Sequence, residues 1–327
     1  MFVRELPDGA AVECVLIVRE AEVRSERDGA QFLHLVLGDR TGTLTTSVRD
    51  DVAAAAAAAA LGAAVRVSGR LQVGGARNGP ELELRAICAA EPGSFDLVDL
   101  VDGPARSAEQ MEHHLRELLA TVRDRDLRRL LGAVFAAGSP LWARFRSAPA
   151  AKRFHQAYRH GLLEHSLSVA QAVSAISATF TEVKRDVAVA GALLHDIGKL
   201  DAYAFEGSAI EMTDAGKLQG EIPLGYYRVR QLIDGIVDFD PSTAEAVLHI
   251  ILSHHGSLEH GSPIVPCTRE ATLVHFCDNL GGRLGSFDRL EKELPSGVRW
   301  SRFDRALGGG AYFAAPPVVE QDARAAA

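Results

Sequence analysis

The apolar residues of this 327-residue chain change their period once, and that change demands two differently built halves. Up to about residue 90 they fall in short strand-like runs. Val12 to Val23 is rich in β-branched and apolar residues; Phe32, Leu33, Leu35, Val36 and Leu37 form a second run, and Leu44 to Val48 a third. Asp39-Arg40-Thr41-Gly42 between the last two is a tight-turn signal. Val65 to Val73 and Leu82 to Ala89 are two further runs, joined by the glycine-rich stretch 74–79. Ala53 to Ala60 favours a helix, alanine losing no side-chain entropy there. Five strands with a helix ahead of the fourth predict a small barrel of the OB type.

Pro92-Gly93 opens a connector and Gly103-Pro104 closes it. From Ser107, a candidate N-cap for the helix carrying Met111, Leu115, Leu118, Leu119 and Val122, the period is helical to about Leu294. Breaks are expected at 138–140, Pro149, 206–207, Pro223, Pro241 and Gly256. The predicted organisation is α+β and multidomain: a nucleic-acid-binding barrel over 1–92, a linker over 93–106, an all-α domain over 107–300, and a loose or docked tail over 301–327.

Composition limits the chemistry. The net charge of −8 argues against a protein that coats nucleic acid through general basicity, but leaves room for a local basic groove. The four cysteines, Cys14, Cys88, Cys267 and Cys277, contain no C-x-x-C pair, so no zinc knuckle or redox motif is expected. Lone thiols suit a reducing compartment. With no apolar leader and no spanning stretch, a soluble cytoplasmic protein with no membrane partner is expected.

The chemistry lies in four blocks of the helical half. The first is His155-Gln-Ala-Tyr158-Arg159-His160-Gly161-Leu-Leu-Glu164-His165, with His165 expected to begin an amphipathic helix. The second is Leu-Leu-His195-Asp196-Ile-Gly-Lys199. The third is Leu252-Ser253-His254-His255-Gly256, and the fourth His275-Phe-Cys-Asp278-Asn279-Leu280. One histidine in an apolar helix is usually a hydrogen-bonded core residue, and a single Asp-Lys pair a solvated helix end. Four such blocks on four helices point instead to a shared metal site. Imidazole and carboxylate together suit manganese, iron, cobalt or magnesium, and the lack of thiolates disfavours structural zinc. Asp196 has two oxygens with which to bridge two ions. His249 and His275 read equally well as supporting or purely structural residues, while His113, His114 and His260 read as surface and His34 as a strand residue.

In order and wording these blocks resemble the HD-domain metal-dependent phosphohydrolases, and within them the YhaM-type 3′-to-5′ exoribonucleases, where a barrel precedes the HD domain. The resemblance runs from the barrel to about Arg289. It implies two divalent ions, manganese foremost. His165, His195, Asp196 and Asp278 would form the first site, Asp196 would bridge, and His254 and His255 would hold the second ion. It further implies catalytic roles for Asp196 and Lys199, and a substrate side at His155, Tyr158, Arg159 and His160. One departure stands out: Gly220-Glu221-Ile222 occupies the place of a family Gly-His-Ile element. Glu221 is therefore expected as a substitute ligand.

The activity implied is 3′-to-5′ hydrolysis of single-stranded RNA, with DNA left open. Two alternatives stay open: a nucleotide phosphohydrolase or cyclic-dinucleotide phosphodiesterase on the same helical domain, and a non-catalytic nucleic-acid-binding protein. Self-association is also left open. The barrel offers Arg19, Arg24, Arg40, Arg66, Arg70, Arg77 and Arg85, with Phe32 as its main ring. A second basic stretch, including Arg123, Arg129, Arg144, Arg146 and Arg153, reads either as a solvated face or as a phosphate guide.

Overall fold

A computed structural model describes residues 2–26, 29–73, 80–101, 103–104, 106–152, 156–206, 209–294 and 298–314. The strands are β1 (Ala11–Ser25), β2 (Gln31–Gly38), β3 (Thr43–Val48), β4 (Ala64–Val73) and β5 (Pro80–Ala89), with α1 (Val52–Ala58) between β3 and β4. They close in the order β1-β2-β3-β5-β4. β1 is long enough to serve two neighbours, β4 through residues 11–17 and β2 through 17–25, and its register slips between Val18 and Glu20 where it bends. The parallel pairing of Thr45 with Glu81 closes the barrel. Leu33, Leu35 and Leu37 alternate inward along β2 and are buried with Leu16, Val67 and Leu82. His34 lies in β2 opposite Glu22 and Ser47.

Two local devices fix this half. Buried Asp39 builds the predicted turn: its Oδ1 accepts from Thr41 N–H at 2.7 Å and Gly42 N–H at 3.1 Å. Its Oδ2 accepts from Val3 N–H at 2.6 Å and so ties the N-terminal segment to the turn. The alanine run is α1, capped by Asp51, and it buries Ala55 and Ala59 against the barrel. The connector holds a short helix, α2 (Leu97–Leu100), against the barrel, where Arg19 donates to the Leu100 carbonyl at 3.2 Å.

The helical half comprises α3 (Ala108–Ala120), α4 (Arg125–Phe135), α5 (Pro140–Ser147), α6 (Gly161–Ser177), α7 (Arg185–Leu194), α8 (Lys199–Ala202), α9 (Asp214–Gln219), α10 (Glu221–Asp234), α11 (Pro241–Ser253) and α12 (Arg269–Glu293). Ser107 caps α3 in a reciprocal capping box with Gln110, as its sequence predicts. Asp124, Asp240 and Thr268 cap α4, α11 and α12. The core of this half runs from Ala108 to Cys277 and is separate from the barrel core.

Three expectations need correction. The domain is not purely helical: β6 (Tyr203–Glu206) and β7 (Ala209–Met212) form an antiparallel hairpin, with Phe205 opposite Ile210. Pro223 does not break a helix. It sits in the first turn of α10, where an N–H would lack an intrahelical partner anyway. α6 starts at Gly161, four residues before His165, because a Cβ at 161 would lie 2.0 Å from the Gln156 carbonyl oxygen. Only glycine lets the helix start that close to the preceding chain.

Residues 298–314 fold back on α12. Trp300 bridges Tyr312, Asp304 bridges Gly309, and Asp304 pairs with Arg289 of α12. The rest of the tail, 315–327, lies outside the described residues. Among those described, no helix is long and apolar enough to cross a membrane.

Candidate metal centre

α6, α7, α11 and α12 pack around one another, and each brings polar groups to their common interior. His165 comes from the second turn of α6. His195 is the C-cap of α7 and Asp196 the next residue; His254 is the C-cap of α11, followed by His255; Asp278 lies in mid-α12. His165, His195, Asp196 and His254 are buried. Burying that many polar groups is costly unless they are mutually satisfied or hold a cation.

Four atoms make a first group. His165 Nε2 is 3.0 Å from Asp278 Oδ1, 3.1 Å from His195 Nε2 and 3.4 Å from Asp196 Oδ2. His195 Nε2 is 3.4 Å from Asp196 Oδ2 and 3.7 Å from Asp278 Oδ1. Neighbouring ligands of an octahedral ion with bonds of about 2.1 Å stand about 3.0 Å apart, so these spacings are of coordination size. The other oxygen of Asp196 faces away, 3.6 Å from His254 Nε2. The ligand atoms of His195, Asp196 and His254 lie within 4.8 Å of one another, as do those of His254, His255 and Asp278.

Two observations show that these residues suit a metal. Asp196 Oδ1 and His254 Nε2 are buried without a hydrogen-bond partner. Leaving a buried polar atom unpaired costs about 1–3 kcal/mol, which a cation between them would offset. The imidazoles are also aimed from behind: Nδ1–H of His195 donates to the Ala192 carbonyl (2.7 Å), that of His254 to Ile251 (2.8 Å) and that of His255 to His260 (2.8 Å). With Nδ1 occupied, Nε2 faces inward, where a cation that displaces its proton would meet the lone pair that metal-ligating histidines use.

The field agrees. Burial pushes the His195 imidazole down, but the carboxylates of Asp196 and Asp278 hold it up, at about 10. Burial would raise the Asp196 carboxyl, yet Lys199 and His195 keep it well below the usual carboxylate range. Asp278 is held low in the same way by His165 and His195. A site that draws protons this strongly attracts cations by the same electrostatics. Lys199, at the start of α8, places its Nζ 2.6 Å from Asp196 Oδ2. Asp196 lowers the energy of the charged ammonium enough to outweigh burial.

Supporting residues complete the frame. Nδ1–H of His275 donates to the His254 carbonyl at 2.7 Å, and its ring packs so closely on Gly256 that a Cβ there would lie 2.1 Å away. His275 thus holds the His254-His255 corner rather than a ligand position. His249 Nε2 accepts from Cys267 N–H at 3.0 Å, away from the cluster. His113 is exposed and His114 half-buried on α3.

Glu221 belongs to none of the three ligand groups. It is the first residue of α10, and its carbonyl packs on Gly198, where a Cβ would come within 1.9 Å. Its charge nonetheless acts on Lys199 and Tyr203. Tyr203, which sequence reasoning passed over, shares this neighbourhood: burial raises its hydroxyl, and Lys199, Glu221 and Asp196 all act on it. Its signal was its position, four residues after Lys199.

The expected substrate side lies at the start of α6. The Tyr158 hydroxyl donates to the Glu164 carboxylate, His160 is the αL residue ahead of α6 with Nδ1 on the Arg146 carbonyl, and Arg159 is exposed. His155 lies outside the described residues, as does Arg153 of the basic stretch. In that stretch Arg146 is held by Glu109 and Glu112, and Arg144 by Asp201, so both serve structure.

Comparison with known proteins agrees with this geometry. The HD domain family model matches residues 162–282, the span that carries the ligand groups. The 3′-5′ exoribonuclease YhaM of Geobacillus sp. (strain WCH70) is 28% identical over 291 residues, covering 88% of this chain and 87% of the relative. Those of Listeria welshimeri and Bacillus subtilis are each 27% identical, covering 88% of this chain and 90% of theirs. The chain is thus an HD-domain protein with an N-terminal five-stranded barrel, homologous to the YhaM 3′-5′ exoribonucleases.

Proposed function

We propose that this protein is a metal-dependent 3′-to-5′ exonuclease that hydrolyses the phosphodiester bonds of single-stranded RNA. The observation that carries the reading is the pair of orphaned buried atoms, Asp196 Oδ1 and His254 Nε2, between two groups of coordination size. Homology along both domains favours a polymer substrate over a free nucleotide.

His165, His195, Asp196 Oδ2 and Asp278 would hold one divalent ion. His254 and His255, with Asp196 Oδ1 and Asp278, would hold a second, manganese being the first choice for this donor set. Such ions, when bound, supply Lewis acidity, an activated water and a clamp on the phosphoryl group. Asp196 orients the site through both its oxygens. Lys199, charged and fixed by Asp196, offers a cation to phosphate oxygens as negative charge develops on them. Glu221 helps to keep that ammonium in place from the start of α10. Tyr158, His160 and Arg159 stand where the strand would approach α6.

The test is incubation with manganese, 5′-labelled single-stranded RNA and a panel of nucleotides. A ladder of progressively shortened RNA is expected. It should vanish in Asp196→Ala while that variant keeps its circular-dichroism spectrum. Turnover of nucleotides alone would instead identify a nucleotide phosphohydrolase, and RNA retention without cleavage a binding protein.

A further inference from the structure

We propose that the outward face of α12, together with the segment folded against it, is the interface of a homodimer. Phe276, Leu280 and Leu284 are 65%, 50% and 56% exposed, and Phe287 is 37% exposed. At 3.6 residues per turn these four positions lie within an arc of about 80°, with Asp278 on the opposite side of the helix. One helix thus turns a ligand inward and an unbroken apolar stripe outward.

The stripe continues onto 298–314. Phe287 contacts the ring of Phe313 at 6.2 Å, and the exposed rings of Trp300 and Tyr312 pack together at 5.2 Å. Phe303, beside the Asp304 that anchors this segment to Arg289, is 74% exposed. Single exposed leucines are ordinary on a soluble protein, but a contiguous patch of this kind is not. Large side chains exposed to this extent offer roughly 800 Å² in all, which is about one partner's share of a standard protein interface.

The spacing says what covers it. Read from either end, the stripe runs aromatic, leucine, leucine, aromatic. Two α12 helices crossing antiparallel about a twofold axis near residue 282 would set Phe276 against the partner's Phe287, and Leu280 against the partner's Leu284. An isologous interface needs this self-complementarity, residue i meeting j while j meets i. A nucleic acid would want rings alternating with cations along a groove, whereas the middle of this stripe is two leucines.

The experiment is sedimentation equilibrium of the full chain at tens of micromolar. The wild type should run as two copies, and Leu280→Glu/Leu284→Glu as one with an unchanged circular-dichroism spectrum. Val237→Glu, a control at a distant exposed position, should remain dimeric. Mixing the glutamate variant with Leu280→Lys/Leu284→Lys should restore the dimer, which also shows that both variants fold. A monomeric wild type, a glutamate variant that stays dimeric, or failure of the mixed pair to associate overturns the proposal. So does a monomeric wild type whose retention of single-stranded RNA is lost in the glutamate variant, which would make the stripe a nucleic-acid surface.

Discussion

At the scale of single residues, Asp196 does three jobs with two oxygens. Oδ2 meets Lys199, His165 and His195, while Oδ1 turns to His254. Asp278 also serves two groups, so the second one has a carboxylate without Glu221. Wild type and Glu221→Gln are therefore both expected to keep two manganese ions per chain under saturating metal, while His254→Ala should fall to about one. Elemental analysis after gel filtration decides this, and a count of one in Glu221→Gln would make Glu221 a ligand. The residues of the three groups were legible because their types repeat in four blocks. The standing of His275 and Glu221 was not, since a ring that braces a carbonyl and a carboxylate that faces a lysine carry no distinct local pattern. Asp201 was missed for the same reason. Burial would raise its carboxyl, but hydrogen bonds from Arg228 and Arg144 hold it below the ordinary value. The stabilisation from this pairing is therefore full above the unfolded carboxyl value of about 3.9 and is lost as the pH falls through the lower folded one. Asp201→Asn should lower the melting temperature at pH 7 by several degrees, and that gap should begin to shrink near pH 4 and close only as the pH falls through the lower folded value. A gap independent of pH would show that the charge is not what matters.

At the scale of elements, the site depends on how closely α7 approaches α11, because His195 ends the first and His254 the second. Gly191 sets that approach: a Cβ there would lie 2.4 Å from Ile250 Cδ1 and 2.8 Å from its Cγ2. The ring centroids of His195 and His254 are 4.9 Å apart as a result of the same packing. Gly191→Ala should cost about 1–3 kcal/mol by overpacking and weaken metal retention along with stability. Ile250→Val removes the nearest atom, so the double variant should be less destabilised than the two single changes together, by at least about 0.5 kcal/mol in a denaturation cycle. Strict additivity would mean that the helices part elsewhere. The helices themselves were readable from their period and from a cap such as Ser107, which acts within one turn. The β6–β7 hairpin was hidden by its shortness. The alternation of Tyr203 with Phe205 and of Ile210 with Met212 is a genuine period of two, but four residues inside a helical stretch do not outweigh it. The close packing at Gly161 and Gly191 was equally invisible, since it depends on chain segments far from each glycine in sequence or turned back upon it.

At the scale of the whole molecule, two separate cores suit the proposed division of labour, in which the barrel would hold a strand and the helical domain would cut it. The barrel's cations are not equivalent. Arg19 is tied to the carbonyls of Asp39 and Leu100, Arg24 to Glu22, and Arg40 to Asp99, whereas Arg66, Arg70 and Arg85 stand exposed on β4 and β5. Phe32 is a half-buried ring with Arg49 over it at 5.7 Å, while Arg77 lies outside the described residues. With a net charge of −8 working against any polyanion, these three arginines should carry much of the barrel's share of binding. Each phosphate contact on a single strand contributes about 0.7 to the slope of log affinity against log salt. Replacing all three arginines with glutamine should therefore reduce that slope by about 2 and weaken RNA most at low salt. Hydrolysis of a small phosphodiester that reaches only the metal centre should be unchanged, because no side chain in the ligand groups moves. A fall in both activities would place these arginines in the stability of the barrel. An unchanged salt slope would place the strand on another surface of the molecule.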